Sequence, residues 1–397
     1  MARNHFPPHY AENITEQNLP AELIPQFTTV EYELPTPASG PPVFLFVVDT
    51  CLDEEELSCL RDALQQTLNL LPEDSLVGLI TFGNLVHVHE LGFTECPKSY
   101  VFRGDKEYLP QKVQDMLGIA PTRGGHPAMP MGGPGMPPGG PHISKQSALG
   151  RFLMPVSECT FSLEQVLEDL QKDPCPTQTD ERVARHTGKP SPLSVFNLYS
   201  HVLTSDAYRL IFVGTAISVA LGLLESTVSR QGSRIMLFIS GPPTAGPGMI
   251  VGRSKKDNIR SHTDLQKNQA PLNKPATEFF KALSERAIAS SVVVDFFACS
   301  LDQVGALEIK VLISRTGGLV VLADKFSQSV FRESLRRIFE RQVDRQTGQP
   351  TNQLQMGFGG QIEVIHSKEF KVAGAIGPCA SLKKGGPSVA DTEVGIG

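Results

Sequence analysis

Few residues in this chain are placed to do chemistry. His87 and His89 lie two apart in Leu85–Leu91 and alternate with Val86 and Val88, so a strand would put both imidazoles on one face. Such a pair can chelate a metal. A solvated strand edge is the commoner role and the expected one. The seven cysteines (Cys51, Cys59, Cys96, Cys159, Cys175, Cys299 and Cys379) are odd in number and contain no C-x-x-C pair. They predict reduced thiols, several buried as small hydrophobes, rather than a disulfide framework or a zinc ribbon. Arg336, Arg337, Arg341 and Arg345 read as a solvated helix face, not a phosphate site. No G-x-x-x-x-G-K-[ST], G-x-S-x-G, H-E-x-x-H or G-x-G-x-x-G occurs, so no P-loop, nucleophile elbow or dinucleotide fingerprint supports an enzyme. No catalytic, cofactor-binding or metal-ligating residue is assigned.

The elements that would position any site are clearer. Pro41 and Pro42 introduce Val43–Val48, apolar on both faces and ending in Asp49, which predicts a central parallel strand. The acids Asp53–Glu56 suit the positive end of a helix bearing Leu57, Leu60, Leu64, Leu68 and Leu71, with Asp53 as its cap and Pro72 as its stop. Strands follow at Leu76–Phe82 and Leu85–Leu91. Phe161, Leu163, Val166, Leu167 and Leu170 make a second helical face. Thr215–Glu225 reads as a buried helix, Arg234–Ser240 as a strand, Thr277–Ser290 as a helix with Phe279, Leu283 and Ala287 inward, and Ser291–Ala298 as a strand. Gly317 and Gly318 separate a helical segment from the strand Leu319–Leu322. Ser327 can cap a last helix whose Val330, Phe331, Leu335, Ile338 and Phe339 face the core. This alternation predicts an α/β fold with a doubly wound, mostly parallel sheet.

Around that body the texture changes. Residues 1–40 are rich in proline, with one strand candidate at Thr28–Leu34. Residues 121–141 hold seven glycines and seven prolines in 21 positions and cannot form a core. After a polar linker come two strand-like runs, Gln361–His366 and Phe370–Ile376. The 397 residues carry a net charge of −6, which gives no sign of nucleic-acid binding. No apolar leader opens the chain, and the 15 residues between Arg209 and Glu225 are too few to span a bilayer. A cytoplasmic chain is the expectation.

The order of elements resembles a von Willebrand factor A domain. That family's metal site begins with Asp-x-Ser-x-Ser at the end of the first strand, where carboxylate and hydroxyl oxygens suit a hard cation. Here the run is Asp49-Thr50-Cys51-Leu52-Asp53, and a thiol at Cys51 is a poor ligand for Mg²⁺, so the resemblance implies a metal-free domain.

Longer runs carry a more specific resemblance. They are Leu19–Phe27, Phe46–Cys51, Val77–Gly83, Lys98–Gly104, Gly246–Met249, Met356–Gly360 and Gly374–Cys379. Together they resemble the subunit family of the inner COPII coat that activates the Sar-type small GTPase. The resemblance implies three parts: an N-terminal segment, 1–40, contributing to a β-sandwich or linker; a von Willebrand factor A-like trunk, 41–345; and an incomplete β-sandwich, 346–397. It implies a coat component of endoplasmic reticulum to Golgi transport, peripheral on the endoplasmic reticulum membrane, that binds the GTPase and a cargo-adaptor coat subunit. It implies a scaffold, not an enzyme. The family's zinc-finger cysteines and its helical and gelsolin-like domains are expected to be missing, so no cofactor is expected and no arginine matches the family's activating one. Lys189–Gly214 resembles nothing in the family and is expected to loop out of the trunk. The cargo-adaptor paralogue and a metal-dependent adhesion module are the alternatives. The Gly-Phe-Gly-Gly and Gly-Ala-Ile-Gly-Pro-Cys runs favour the activator, and a hydrolase has no nucleophile–base motif behind it.

Overall fold

The computed structural model describes residues 12, 14–15, 17–29, 40–119, 149–173, 210–228, 231–252, 259–343, 347–364 and 369–383. Its elements are β1 (Val43–Asp49), α1 (Glu54–Leu68), β2 (Leu76–Phe82), β3 (Leu85–His89), β4 (Ser99–Arg103), α2 (Pro110–Leu117), β5 (Met154–Pro155), α3 (Val156–Glu168), α4 (Val213–Thr227), β6 (Ser233–Ile239), α5 (His262–Gln266), α6 (Asn273–Ala289), β7 (Val292–Cys299), α7 (Ala306–Thr316), β8 (Val320–Ala323), α8 (Ser329–Ile338), β9 (Arg341–Val343) and β10 (Pro350–Leu354).

The main sheet runs β4-β3-β2-β1-β6-β7-β8, with the short β5 beside β2. Strands β1, β2, β6, β7 and β8 are parallel, and β3 is antiparallel to both β2 and β4. β1 is buried along its whole length because helices cover both faces. Val43, Leu45 and Val47 pack on one side with the buried residues of α4, α6 and α7. Phe44, Phe46 and Val48 pack on the other with Leu57, Leu60 and Leu64 of α1, Leu163 of α3 and Phe331 of α8. Phe238 of β6 stacks on Phe297 of β7 at 4.9 Å, and Phe331 meets Phe297 edge-on at 6.0 Å. The doubly wound α/β fold predicted from the alternation is therefore the fold observed.

Several local expectations need correction. β3 lies between β2 and β4, so His87 and His89 are not on a sheet edge. Asp53 occupies the N-cap position of α1 without capping it; its carboxylate reaches Lys172 Nζ at 2.7 Å. Gln328, not Ser327, precedes α8, and it makes no side-chain cap; it pairs instead with Asp324. Phe161 and Val330 are exposed, because each lies outside the stripe its helix turns inward. Helix α1 ends at Leu68, four residues before Pro72.

The strand-like runs after Arg341 are not strands among the described residues. Ile362, Val364, Phe370 and Ile376 stand in solvent, and the pairing found there is β9 with β10. Of the expected insert Lys189–Gly214, only the last five residues are described. Residues 189–209 lie outside the described residues, as do 121–141 and most of Thr28–Leu34. Leu210–Gly214, however, are buried, and α4 starts at Val213 rather than Thr215. The Phe212 ring fills the space above Gly104 and Gly246, where any Cβ would overlap it. Gly246 also needs glycine for its φ of +75°. The Gly246–Met249 run is thus the seat of this segment.

Candidate functional site

Ligands of open parallel sheets gather beyond the C-terminal ends of the strands, where the connections part to opposite faces. Here that point is the end of β1, flanked by β2 and β6. Asp49 sits there, fully buried. One carboxylate oxygen, Oδ1, accepts from the Cys51 amide at 2.8 Å. The other, Oδ2, accepts from the Ser240 amide at 3.1 Å and the Ser240 hydroxyl at 2.9 Å. Burial pushes the Asp49 carboxyl above the usual carboxylate value, against the pull of its hydrogen bonds from Cys51 and Ser240.

The other two positions of the metal-binding pattern are turned elsewhere. Cys51 is buried, with its Sγ 3.8 Å from the Leu210 carbonyl. Asp53 faces outward to Lys172. Asp49 ties β1 to β6, and the three side chains do not converge on one point. The donor set does not suit a hard cation. Among the described residues no group of three or more His, Cys, Asp or Glu side chains is arranged to hold a metal.

His87 and His89 lie on the face of the sheet that α3 covers further in. His89 Nε2 is 2.9 Å from Thr81 Oγ1, and His87 Nδ1 is 3.4 Å from Ser99 Oγ. Burial, with a smaller push from His87, lowers the His89 imidazole to about 4. Burial also lowers His87, while Asp173 pulls it the other way. The two rings have separate partners, and His89 reads as a half-buried histidine satisfied by a hydroxyl.

Of the six described cysteines none is paired in a disulfide. Burial pushes the Cys159 thiol up to about 11 and the Cys299 thiol up to about 12, which leaves both as unreactive apolar groups at neutral pH.

Two adjoining clefts open at this end of the sheet. One, of about 450 Å³, lies between the β1 and β7 ends and is lined by Cys51, Asp53, Glu56, Ser240, Asp302 and Asp324, among others. Its neighbour, of about 440 Å³, lies between the α5 segment and the β7–α7 loop and is lined by Arg260, Leu307 and Leu322, among others. The two share Ser300, Asp302 and Gln303. Among the described residues, no hydrogen-bonded nucleophile–base pair is found in either lining.

Sequence reading missed the residues that build this end: Ser240, Thr244 and Leu210. Ile211 donates its amide to Thr244 Oγ1 at 2.9 Å, and the Thr244 amide returns a bond to the Ile211 carbonyl at 3.2 Å. Asp173, before the undescribed stretch 174–209, donates its amide to Thr50 at 2.9 Å and accepts from the Asn84 amide at 2.7 Å. Both ends of that stretch are thus anchored beside Thr50 and Cys51. The available signal was Ser240-Gly241-Pro242, a hydroxyl at a strand end followed by a turn.

A family model for the Sec23/Sec24 trunk domain matches residues 39–190 and 197–342, so all of Lys189–Gly214 except residues 191–196 falls within it, against the expectation that this segment resembles nothing in the family. Among solved structures, the human COPII-coat protein Sec24c is 17% identical with a TM-score of 0.45, covering 76% of this chain and 33% of that one. A von Willebrand factor type A protein from Catenulispora acidiphila is 9% identical with a TM-score of 0.35, over 77% of this chain and 44% of its own. The PilB minor pilin from Streptococcus sanguinis is 11% identical with a TM-score of 0.36, over 77% and 62%. This chain spans about a third of the length of the Sec24c chain it matches.

Proposed function

Because the chain belongs to the Sec23/Sec24 trunk-domain family, we propose that it is a scaffold subunit of the COPII coat that binds a Sar-type small GTPase and a cargo-adaptor subunit at the endoplasmic reticulum membrane. The observation that carries this is the extent of the family match, from residue 39, before β1, to residue 342, within β9. Met356–Gly360 and Gly374–Cys379 support the activating subunit over the adaptor. Among the described residues no helix is long and apolar enough to cross a membrane, which fits peripheral attachment through partners.

In this reading the chain binds and positions, and does not hydrolyse. GTPase activators commonly supply an arginine to the transferring phosphoryl group, worth roughly 10³ to 10⁵ in rate. That is ~4–7 kcal/mol of transition-state stabilisation. The family resemblance places that arginine in a helical domain, and no arginine of this sequence matches its context. Ordering the switch regions by contact alone gives a smaller, positional effect. The test is single-turnover GTP hydrolysis by the GTPase at saturating chain. Stimulation stays below about 100-fold on this account. A larger effect would show that an arginine within these 397 residues acts on the nucleotide.

A further inference from the structure

The end of the sheet at β7 and β8 is unusually apolar for an uncovered surface. Leu301 is 80% exposed at the tip of the β7–α7 loop, Leu322 on the edge strand β8 is 56% exposed, and Leu307 on α7 is 49% exposed. The two clefts meet beneath that loop, sharing Ser300, Asp302 and Gln303. The larger cleft is predominantly acidic, and the smaller carries Arg260 and His262 beside the shared Asp302. Glu56, Asp302 and Asp324 line the larger cleft, with Lys325 as its one lining cation among the described residues, while Asp53 on its rim is paired with Lys172. The carboxylates are held in place: Glu56 Oε2 accepts from the Phe326 amide at 2.6 Å, and Asp324 Oδ2 accepts from Gln328 at 3.1 Å. Exposed leucines beside an acidic mouth fit a partner that offers the opposite charge and a matching apolar group.

We propose that these clefts dock a basic segment of a partner protein, carrying lysine or arginine beside one or two large aliphatic side chains. The proposal rests on the scaffold reading only in supposing that a protein partner exists. The aliphatic group seats against Leu301, Leu307 and Leu322, and the cations face Asp302 and Asp324. Apolar contact sets the lifetime of such a complex, and the acidic rim sets its salt dependence and its choice of partner.

The test uses the 397-residue chain and two fluorescent twelve-residue peptides, one alternating lysine with leucine and one alternating glutamate with leucine. Anisotropy is read at low and high salt, without GTPase or coat protein, so failure here is distinct from failure of the scaffold reading. The lysine peptide is expected to bind at least tenfold more tightly. The paired variant Asp302→Lys/Asp324→Lys should lose that preference, and Leu301→Ser should weaken binding several-fold. Glu73→Lys/Asp74→Lys, exposed on the loop before β2, makes the same charge change at the opposite end of the sheet and should leave binding unchanged. Melting curves confirm that each variant folds. Equal binding of the two peptides would overturn the proposal, as would an equal response to both charge reversals.

Discussion

At the scale of single residues, burial decides what the side chains equipped for chemistry do. His89 has an unfolded value near 6.5 and a folded value of about 4, so between those pH values the unfolded chain binds the extra proton. Stability is full above pH 6.5 and is lost as pH falls toward 4, by roughly 2–3 kcal/mol from this residue. His89→Gln keeps a partner for Thr81 and should flatten that loss, seen as urea midpoints at pH 7 and pH 4.5. An undiminished loss in the variant would place its origin elsewhere. Asp49 has the opposite sign. Its folded value is raised, so its contribution is greatest below 3.8 and declines as pH rises through the raised value. Asp49→Ala strands the Ser240 and Cys51 donors and should cost about 2–4 kcal/mol in chemical denaturation. Because Asp49 serves those donors, Mg²⁺ should not raise the melting midpoint. A saturable rise that disappears in Asp49→Ala would reverse that view. The strand-end acid and the thiol beside it were legible in sequence as a broken ligand set. The partner Ser240 was not, because it lies 191 residues away and only the β1–β6 pairing brings it to Asp49.

At the scale of elements, β1, β2 and α1 could be read because two-sided apolar runs and a leucine stripe are dictated by burial itself. The helix caps could not. Asp53 carries the right side chain at an N-cap and spends it on Lys172, a partner from another part of the chain. Leu210–Gly214 looked like the tail of an insert because no periodicity marked it, yet the trunk-domain match, which resumes at residue 197, includes it. Its burial comes from tertiary fit, with Phe212 seated over two glycines that leave the room. Phe212→Ala should therefore cost ~3–5 kcal/mol. For a domain of this size that lowers the thermal midpoint by about 6 °C or more. Removing 210–214 should do at least as much, whereas a change within 2 °C in either variant would show that the segment does not belong to the core.

At the scale of the whole molecule, the sheet offers two edges, β4 and β8, and one end furnished with clefts, on a body whose core is filled from both faces. The trunk-domain match of the family to which the chain belongs spans this body from before β1 into β9. The alternating apolar residues Ile362, Val364, Phe370 and Ile376 read in sequence as strands. They stand in solvent here because, among the described residues, no strand pairs with them to bury one face. The central proposal is that this trunk is a scaffold held at the membrane by a Sar-type GTPase in its GTP-bound state. Flotation of the chain with liposomes carrying a Sar-type GTPase tests it most directly. The chain should rise with the vesicles when the GTPase holds a non-hydrolysable GTP analogue and stay at the bottom with GDP or with bare lipid. Equal flotation in all three, or none in any, would contradict the account.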